Sequence, residues 1–218
     1  MPALKGAFIN LGAGLLGALP NIVVFQFNPV SVTRTPALVQ PPPHDDGSGS
    51  HDASQTPGEP SETYSFTLRI DATDQLAEKN PITADSGILP TLSALELLMV
   101  PKESLSIQLF QLSKSKASPH NHTPAQLPVV LFFWGPYRIL PVNITSLSIN
   151  ETEYDPRLNP IRAEVTVNLD VITPTNLANA PFAIGAYRYS QGVKEVMAAL
   201  NQSNAVDMRV SKSLSLLL

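Results

Sequence analysis

The chain has 218 residues, of which 43% are hydrophobic and only 15% charged, with a net charge of -4 and no cysteine. That is enough apolar content for one domain with a real core, and it leaves no Lys/Arg stripe to neutralise nucleic-acid phosphates. The missing thiols exclude disulfides, cysteine nucleophiles, iron–sulfur clusters and Cys-type zinc sites together.

The first twenty residues carry an apolar run, Leu11 to Leu19, behind a single Lys5, the outline of a signal peptide. Glycines dilute that run, and Ala7-Phe8-Ile9-Asn10-Leu11 reads as a strand, so no leader is expected. Nor does any stretch reach the roughly 18 consecutive apolar residues of a membrane-spanning helix. Ile22 to Phe27 is a compact β-branched and aromatic run, stopped by Asn28-Pro29. From Pro36 to Glu62 the chain is proline-, serine- and aspartate-rich, too poor in large apolar residues to offset its ordering entropy, and is expected to be a flexible insertion. If strands of one sheet flank it, it hangs from a single domain.

Tyr64 to Asp71 alternates, with Tyr64, Phe66, Leu68 and Ile70 on one face, which predicts a strand with one buried side. Ile88, Leu92, Leu95 and Met99 recur at helical spacing, with Pro90 suited to the first turn and Pro101 ending the segment. Ser113 to Pro128 is a second polar loop. Val129 to Phe133 is continuously apolar, and Trp134-Gly135-Pro136-Tyr137 predicts a hairpin turn into a return strand that includes Ile139 to Ile149. Tyr154 to Pro160 is rich in turn residues, and Ile161 to Asp170 alternates again, with Ala163, Val165, Val167 and Leu169 inward. A last helix is predicted over Tyr187 to Asn201, packing through Val193, Val196, Met197 and Leu200. The fold class is therefore mainly β: an antiparallel barrel or sandwich over residues 1–173, with one packed core helix, and a helical extension over 174–218. Tyr64–Ile70 and Ile22–Phe27 are the expected edge strands.

The residues do not describe an enzyme. All four histidines (His44, His51, His120, His122) fall in the two polar loops, where nothing rigid would fix them as metal ligands. Glu151 and Glu153, two apart on a strand, would share one face as a glycosidase pair must, yet a solvated strand edge explains them as well. No histidine in the expected core can serve a serine nucleophile, and Gly12-Ala13-Gly14 lacks the rest of a phosphate-binding loop. No catalytic, cofactor-binding or metal residue is expected.

Five segments, in order, resemble the inner-tube and tube-adaptor proteins of extracellular contractile injection systems, relatives of phage tail tube proteins. They are Val24-Phe25-Gln26-Phe27-Asn28-Pro29-Val30, Tyr64 to Asp71, Asp85 to Pro90 leading into Leu92–Met99, Pro128 to Gly135, and Asn150 to Tyr154 with Pro160 to Val165. The resemblance covers about residues 7–172. It implies a tail-tube-like β-barrel with Phe25, Phe27 and Trp134 as core and turn residues. It further implies a sixfold homo-oligomeric ring whose sheets continue between subunits around a lumen. The partners implied are the spike hub, the inner tube protein and baseplate wedge proteins, with no nucleic acid and no direct membrane insertion. Assembly would take place in the bacterial cytoplasm, before the chain becomes part of the injection particle. The subgroup suggested is the adaptor between hub and tube, which often ends in a LysM module; no LysM signature is present after Thr173. From the residues alone, a secreted β-sandwich binding module for carbohydrate or a host surface, or an unfamiliar hydrolase, stay open.

Overall fold

The structure is a computed structural model that describes residues 3–10, 21–39, 58–100, 127–177 and 180–207. Seven strands form one antiparallel sheet in the order β2-β1-β5-β6-β7-β4-β3. They are β1 (Ala7–Asn10), β2 (Asn21–Val24), β3 (Val32–Ala37), β4 (Ser61–Asp71), β5 (Val130–Phe133), β6 (Ile139–Tyr154) and β7 (Pro160–Val171). Among the described residues between β4 and β5 are three short helices, α1 (Thr73–Ala77), α2 (Pro81–Ser86) and α3 (Leu89–Glu96), and α4 (Pro181–Asp207) closes the described chain.

The alternation in β4 and β7 does what period two requires. Tyr64, Phe66, Leu68 and Ile70 are buried, and Ala163, Val165, Val167 and Leu169 are fully so. The sheet then curls until its first strands face its last. Phe66 of β4 lies 5.3 Å from Phe132 of β5 and 5.9 Å from Phe25 beyond β2, ring centre to ring centre, and Phe8 of β1 joins the same cluster. α3 caps this core with Leu92 and Leu95, aided by Ile88 at its N-cap and Leu98 past its end. Met99 packs at the margin, beyond the helix it was expected to extend.

Gly6 permits the close approach on which the curl depends: a Cβ there would come within 2.6 Å of the Phe25 ring and 2.9 Å of Trp134. Gly87, between α2 and α3, has φ +58° and its Cβ would meet the Pro160 carbonyl at 2.1 Å. That carbonyl accepts the Ile88 N–H at 2.9 Å, so the helical corner is tied to the start of β7.

Several expectations need correction. The Ile22–Phe27 strand ends at Val24: the Phe25 N–H still bonds the Gly6 carbonyl, but the chain bends at Gln26 and Phe27, and Asn28 bonds both Gly6 and Leu4. Phe25 is in the core, but Phe27 is 45% exposed and is no core residue. β3 was not foreseen, and it turns the Pro36–Glu62 boundaries into strand: Val32–Ala37 pairs with Ser61–Phe66, so one sheet does flank the insertion. Residues 40–57 within that insertion, and 101–126, which take in most of the Ser113–Pro128 loop, lie outside the described residues, and with them all four histidines and Pro101; so do residues 11–20, which hold Gly12-Ala13-Gly14. β4 is not an edge strand, since β7 and β3 take its two sides.

The last helix is longer than expected and docks through a different face. Ala183, Tyr187 and Ser190 are buried, whereas Val196, Met197 and Leu200 are exposed. The physical reason is that the contact is partly polar. The Ser190 hydroxyl donates to the Ile139 carbonyl at 2.6 Å, and Lys194 reaches Glu62 at 2.7 Å.

Candidate assembly surface

Counting where each strand's backbone groups point separates the sheet's edges. On β4, the Ala72 N–H goes to Ile161 beside β7, while the Asp71 N–H and carbonyl face the other way, to the Gln26 side chain at 2.8 and 2.7 Å. Alternate residues of a strand point the same way, so Ser65, Thr63 and Ser61 face β3, and their partners Thr33, Thr35 and Ala37 face back. Val32, Arg34 and Pro36 therefore point outward from β3. Proline has no N–H to offer, so Pro36 blunts that edge.

The same count carried through β7 sends Leu147, Ile149 and Glu151 of β6 away from their β7 partners. On that side β5 covers only Ile139–Val142. Among the described residues no strand pairs with the far half of β6 there, so three consecutive outward-pointing residues present free strand edge. Leu147 and Ile149 are only partly buried against the core. At the remaining edge, β2 is four residues long and points Ile22 and Val24 outward, both with exposed side chains.

Between β2 and the stretch of β4 past β3 lies a crevice of about 260 Å³, lined by Lys5, Gln26, Arg69, Asp71, Gln75 and Thr91 among others. The Gln26 amide bridges it like one residue of an extra strand. The crevice holds no acid–base pair: Asp71 is engaged by Thr73 and by Arg162 at 2.8 Å. The Thr73 hydroxyl foremost holds the Asp71 carboxyl below its usual range; burial, the next largest influence, pushes the other way and is outweighed with the help of the Thr73 N–H and Arg162.

The suspected acidic cluster is dismantled by geometry. A register shift between Glu151 and Glu153 pairs Glu151 with inward-facing Ala163 and Glu153 with outward-facing Arg162, so the two carboxylates sit on opposite faces. Glu153 joins the Arg162 ion pair. Asp155 accepts from the backbone N–H groups of Arg157 and Asn159 and from the Asn159 side chain, which shapes the turn and lowers its pKa. Among the described residues no group of three His, Cys, Asp or Glu is placed to hold a metal ion.

One buried charge went unnoticed in the sequence. Glu62, 6% exposed, pairs with Arg34 of β3 and with Lys194 of α4, and accepts the Tyr64 hydroxyl at 2.7 Å. Burial alone would raise its pKa, but the bonds from Lys194 and Tyr64 and both nearby cations outweigh that and leave it lowered. Tyr64 is pushed well up, by burial first and then by the carboxylate it serves. Glu62 thus fastens α4 to the barrel, and a small satellite cluster of Ile172, Leu177 and Ala183 seats the start of that helix.

The curled antiparallel sheet thus has one blunted edge and another that is open among the described residues. The chain belongs to the contractile injection system tube protein family, whose family model matches residues 17–179. No curated protein matches it. No helix among the described residues is long and apolar enough to cross a membrane.

Proposed function

We propose that this chain forms a sixfold ring at the baseplate end of a contractile injection particle, adapting the spike hub to the inner tube and contacting baseplate wedge proteins. The observation that carries the reading is the pair of unlike edges. Ring closure needs a heterologous, head-to-tail contact, and the open half of β6 offers outward N–H and carbonyl groups for a neighbour's strand. The blunted β3 cannot take an equal part in such pairing. β2 is the complementary edge, short but with outward-pointing Ile22 and Val24.

The adaptor position, as opposed to a regular tube layer, rests on α4. It begins at Pro181, just past the family-matched span, and so adds to the common body an element available for other contacts. We divide the chain accordingly into a ring-forming body, 1–173, and an extension, 174–218. The ring is assembled in the cytoplasm and then resides in the particle. No residue is assigned a catalytic, cofactor or metal role, in keeping with the structural character of the family.

Two measurements on purified particles test this. Electron microscopy should locate the chain in a single sixfold layer below the tube. Quantitative mass spectrometry should find one ring's worth of copies per particle. A copy number rising with tube length would make it the tube protein itself, and absence from the particle would sink the reading altogether.

A further inference from the structure

α4 has two sides with different fates. At about 100° of turn per residue, Ala183, Tyr187, Ser190 and Lys194 share the side held against the barrel. Diametrically opposite, in line along the helix, lie Gly185, Gly192 and Ala199. A Cβ added at either glycine would meet nothing within 4 Å. Their smallness serves no contact among the described residues, yet a glycine inside a helix costs about fivefold in the folding equilibrium relative to alanine. A stripe without side chains suits the close approach of another backbone.

The banks of this shallow groove differ. On one, Phe182, Tyr189 and Val196 are 65%, 48% and 57% exposed, a row of large apolar side chains. On the other stand Arg188 and Glu195, both exposed, and neither forms an ion pair among the described residues. Aromatic and apolar anchors beside a charged margin are the makings of a protein interface.

A second copy of the same helix, laid antiparallel about Gly192, answers every part of the pattern. Gly192 then faces Gly192, and Gly185 faces Ala199. The apolar banks run side by side. Arg188 lies four residues before the two-fold point and Glu195 three after it, so the two come level to within about 1.5 Å of helix rise and form an Arg–Glu contact twice over. A parallel pair would instead lay the charged bank of one copy along the apolar bank of the other. The two barrels, each on the far side of its own helix, point away from one another and do not collide.

We propose that the free subunit pairs with a second copy of itself through this face of α4, antiparallel and centred on Gly192. An isologous contact closes on two copies, unlike the head-to-tail contacts of a ring, so the pair stands apart from the ring reading and covers the apolar bank before the particle takes up the subunit. The stripe from Phe182 to Ala199 is about 25 Å long, a small contact beside those of permanent dimers, and the pair is reversible.

Sedimentation of the purified full chain, followed to its highest soluble concentration, should show monomer passing to dimer. Arg188→Glu should weaken the dimer about tenfold, because two exposed ion pairs give way to two like-charge contacts, and adding Glu195→Arg should restore it. Gly192→Leu should abolish the dimer while the circular dichroism stays unchanged and the melt is no lower, leucine being the better helix former. The chain has no cysteine of its own. Gly192→Cys should therefore cross-link cleanly under mild oxidation, whereas Ala199→Cys, about 20 Å from its copy in this register, should not. A chain that stays monomeric refutes the proposal, whatever else comes to cover α4. So does a dimer indifferent to Arg188→Glu and Gly192→Leu, one that Glu195→Arg fails to rescue, or one that cross-links as readily through Ala199→Cys. None of these results bears on the ring, which electron microscopy of the particle reads separately.

Discussion

Glu62 offers the sharpest test of how the C-terminal helix is held. Its carboxylate is nearly fully buried and answers three donors, from Lys194, Arg34 and Tyr64. Removing one partner of a buried pair can cost 3–5 kcal/mol, but here the side chains of Lys194 and Arg34 are 36% and 38% exposed and can turn to water. Glu62→Ala should therefore cost about 2–3 kcal/mol, most of it from the stranded Tyr64 hydroxyl and the lost burial of the pair. Lys194→Ala leaves Glu62 with two partners and should cost about 1 kcal/mol. The double variant should resemble Glu62→Ala alone, giving a coupling of about 1 kcal/mol in a denaturant-melt cycle. Hydrogen exchange read alongside should show residues 181–194 opening in both single variants while β4 and β7 stay protected.

The pH dependence follows from the same contacts. Because the folded pKa lies below the ordinary value of 4.5, the stabilisation from Glu62 is fully present above that value and is lost as pH falls through the lower folded pKa. Acid should loosen the helix while neutral pH leaves it held, and Glu62→Gln should flatten that part of the profile. Additive single variants together with unchanged exchange over 181–194 would refute the anchoring role.

Leu95 is fully buried under the barrel, so Leu95→Ala should lower denaturant stability by about 2–5 kcal/mol, and Leu95→Asp should abolish the folded circular dichroism signal. Gln26→Ala removes both bonds to Asp71 and should cost about 1–3 kcal/mol, with faster exchange of the Asp71 amide and little change in β7. Ile149→Pro deletes an outward N–H on the open edge of β6; melts should show a folded subunit and electron microscopy no rings. Gly87→Ala forces a Cβ against the Pro160 carbonyl at positive φ and should be among the most destabilising single changes in thermal melts.

How much of this was legible depended on contrast between faces. β4 and β7 declare themselves because every second residue is deep in the core and the others meet water. β3 does not, because Val32 to Ala37 has five exposed residues of six and a proline, so no periodicity survives. The full length of β6 was hidden by its irregularities: register shifts at Ile144/Ser146 and Glu151/Glu153 break the period-two pattern, and the second of them is why two carboxylates counted onto one face stand on opposite ones. α2 was signalled by Asn80-Pro81, a cap whose carbonyl oxygen accepts from Ile82 and Thr83, but buries only Thr83. In α4 the apolar residues pointed to the wrong side, since the docking face is Ala183, Tyr187, Ser190 and Lys194, held by a hydroxyl and an ion pair that hydrophobic patterning cannot register. The open edges, the heart of the assembly surface, follow from pairing partners far apart in sequence, which no local pattern contains.

Pro36 has a bearing on traffic between copies before any particle exists. Newly made subunits meet at random, and strands that pair with their own kind give open-ended fibres. A ring imino acid on the rim of β3 removes one party to such encounters. Growth is thereby given a direction, because a copy can be received along β6 but cannot propagate onward through β3. Replacing this one residue with valine would hand the chain a third sticky margin beside β6 and β2, and its first symptom would be turbid lysate, long before any defect in the finished machine.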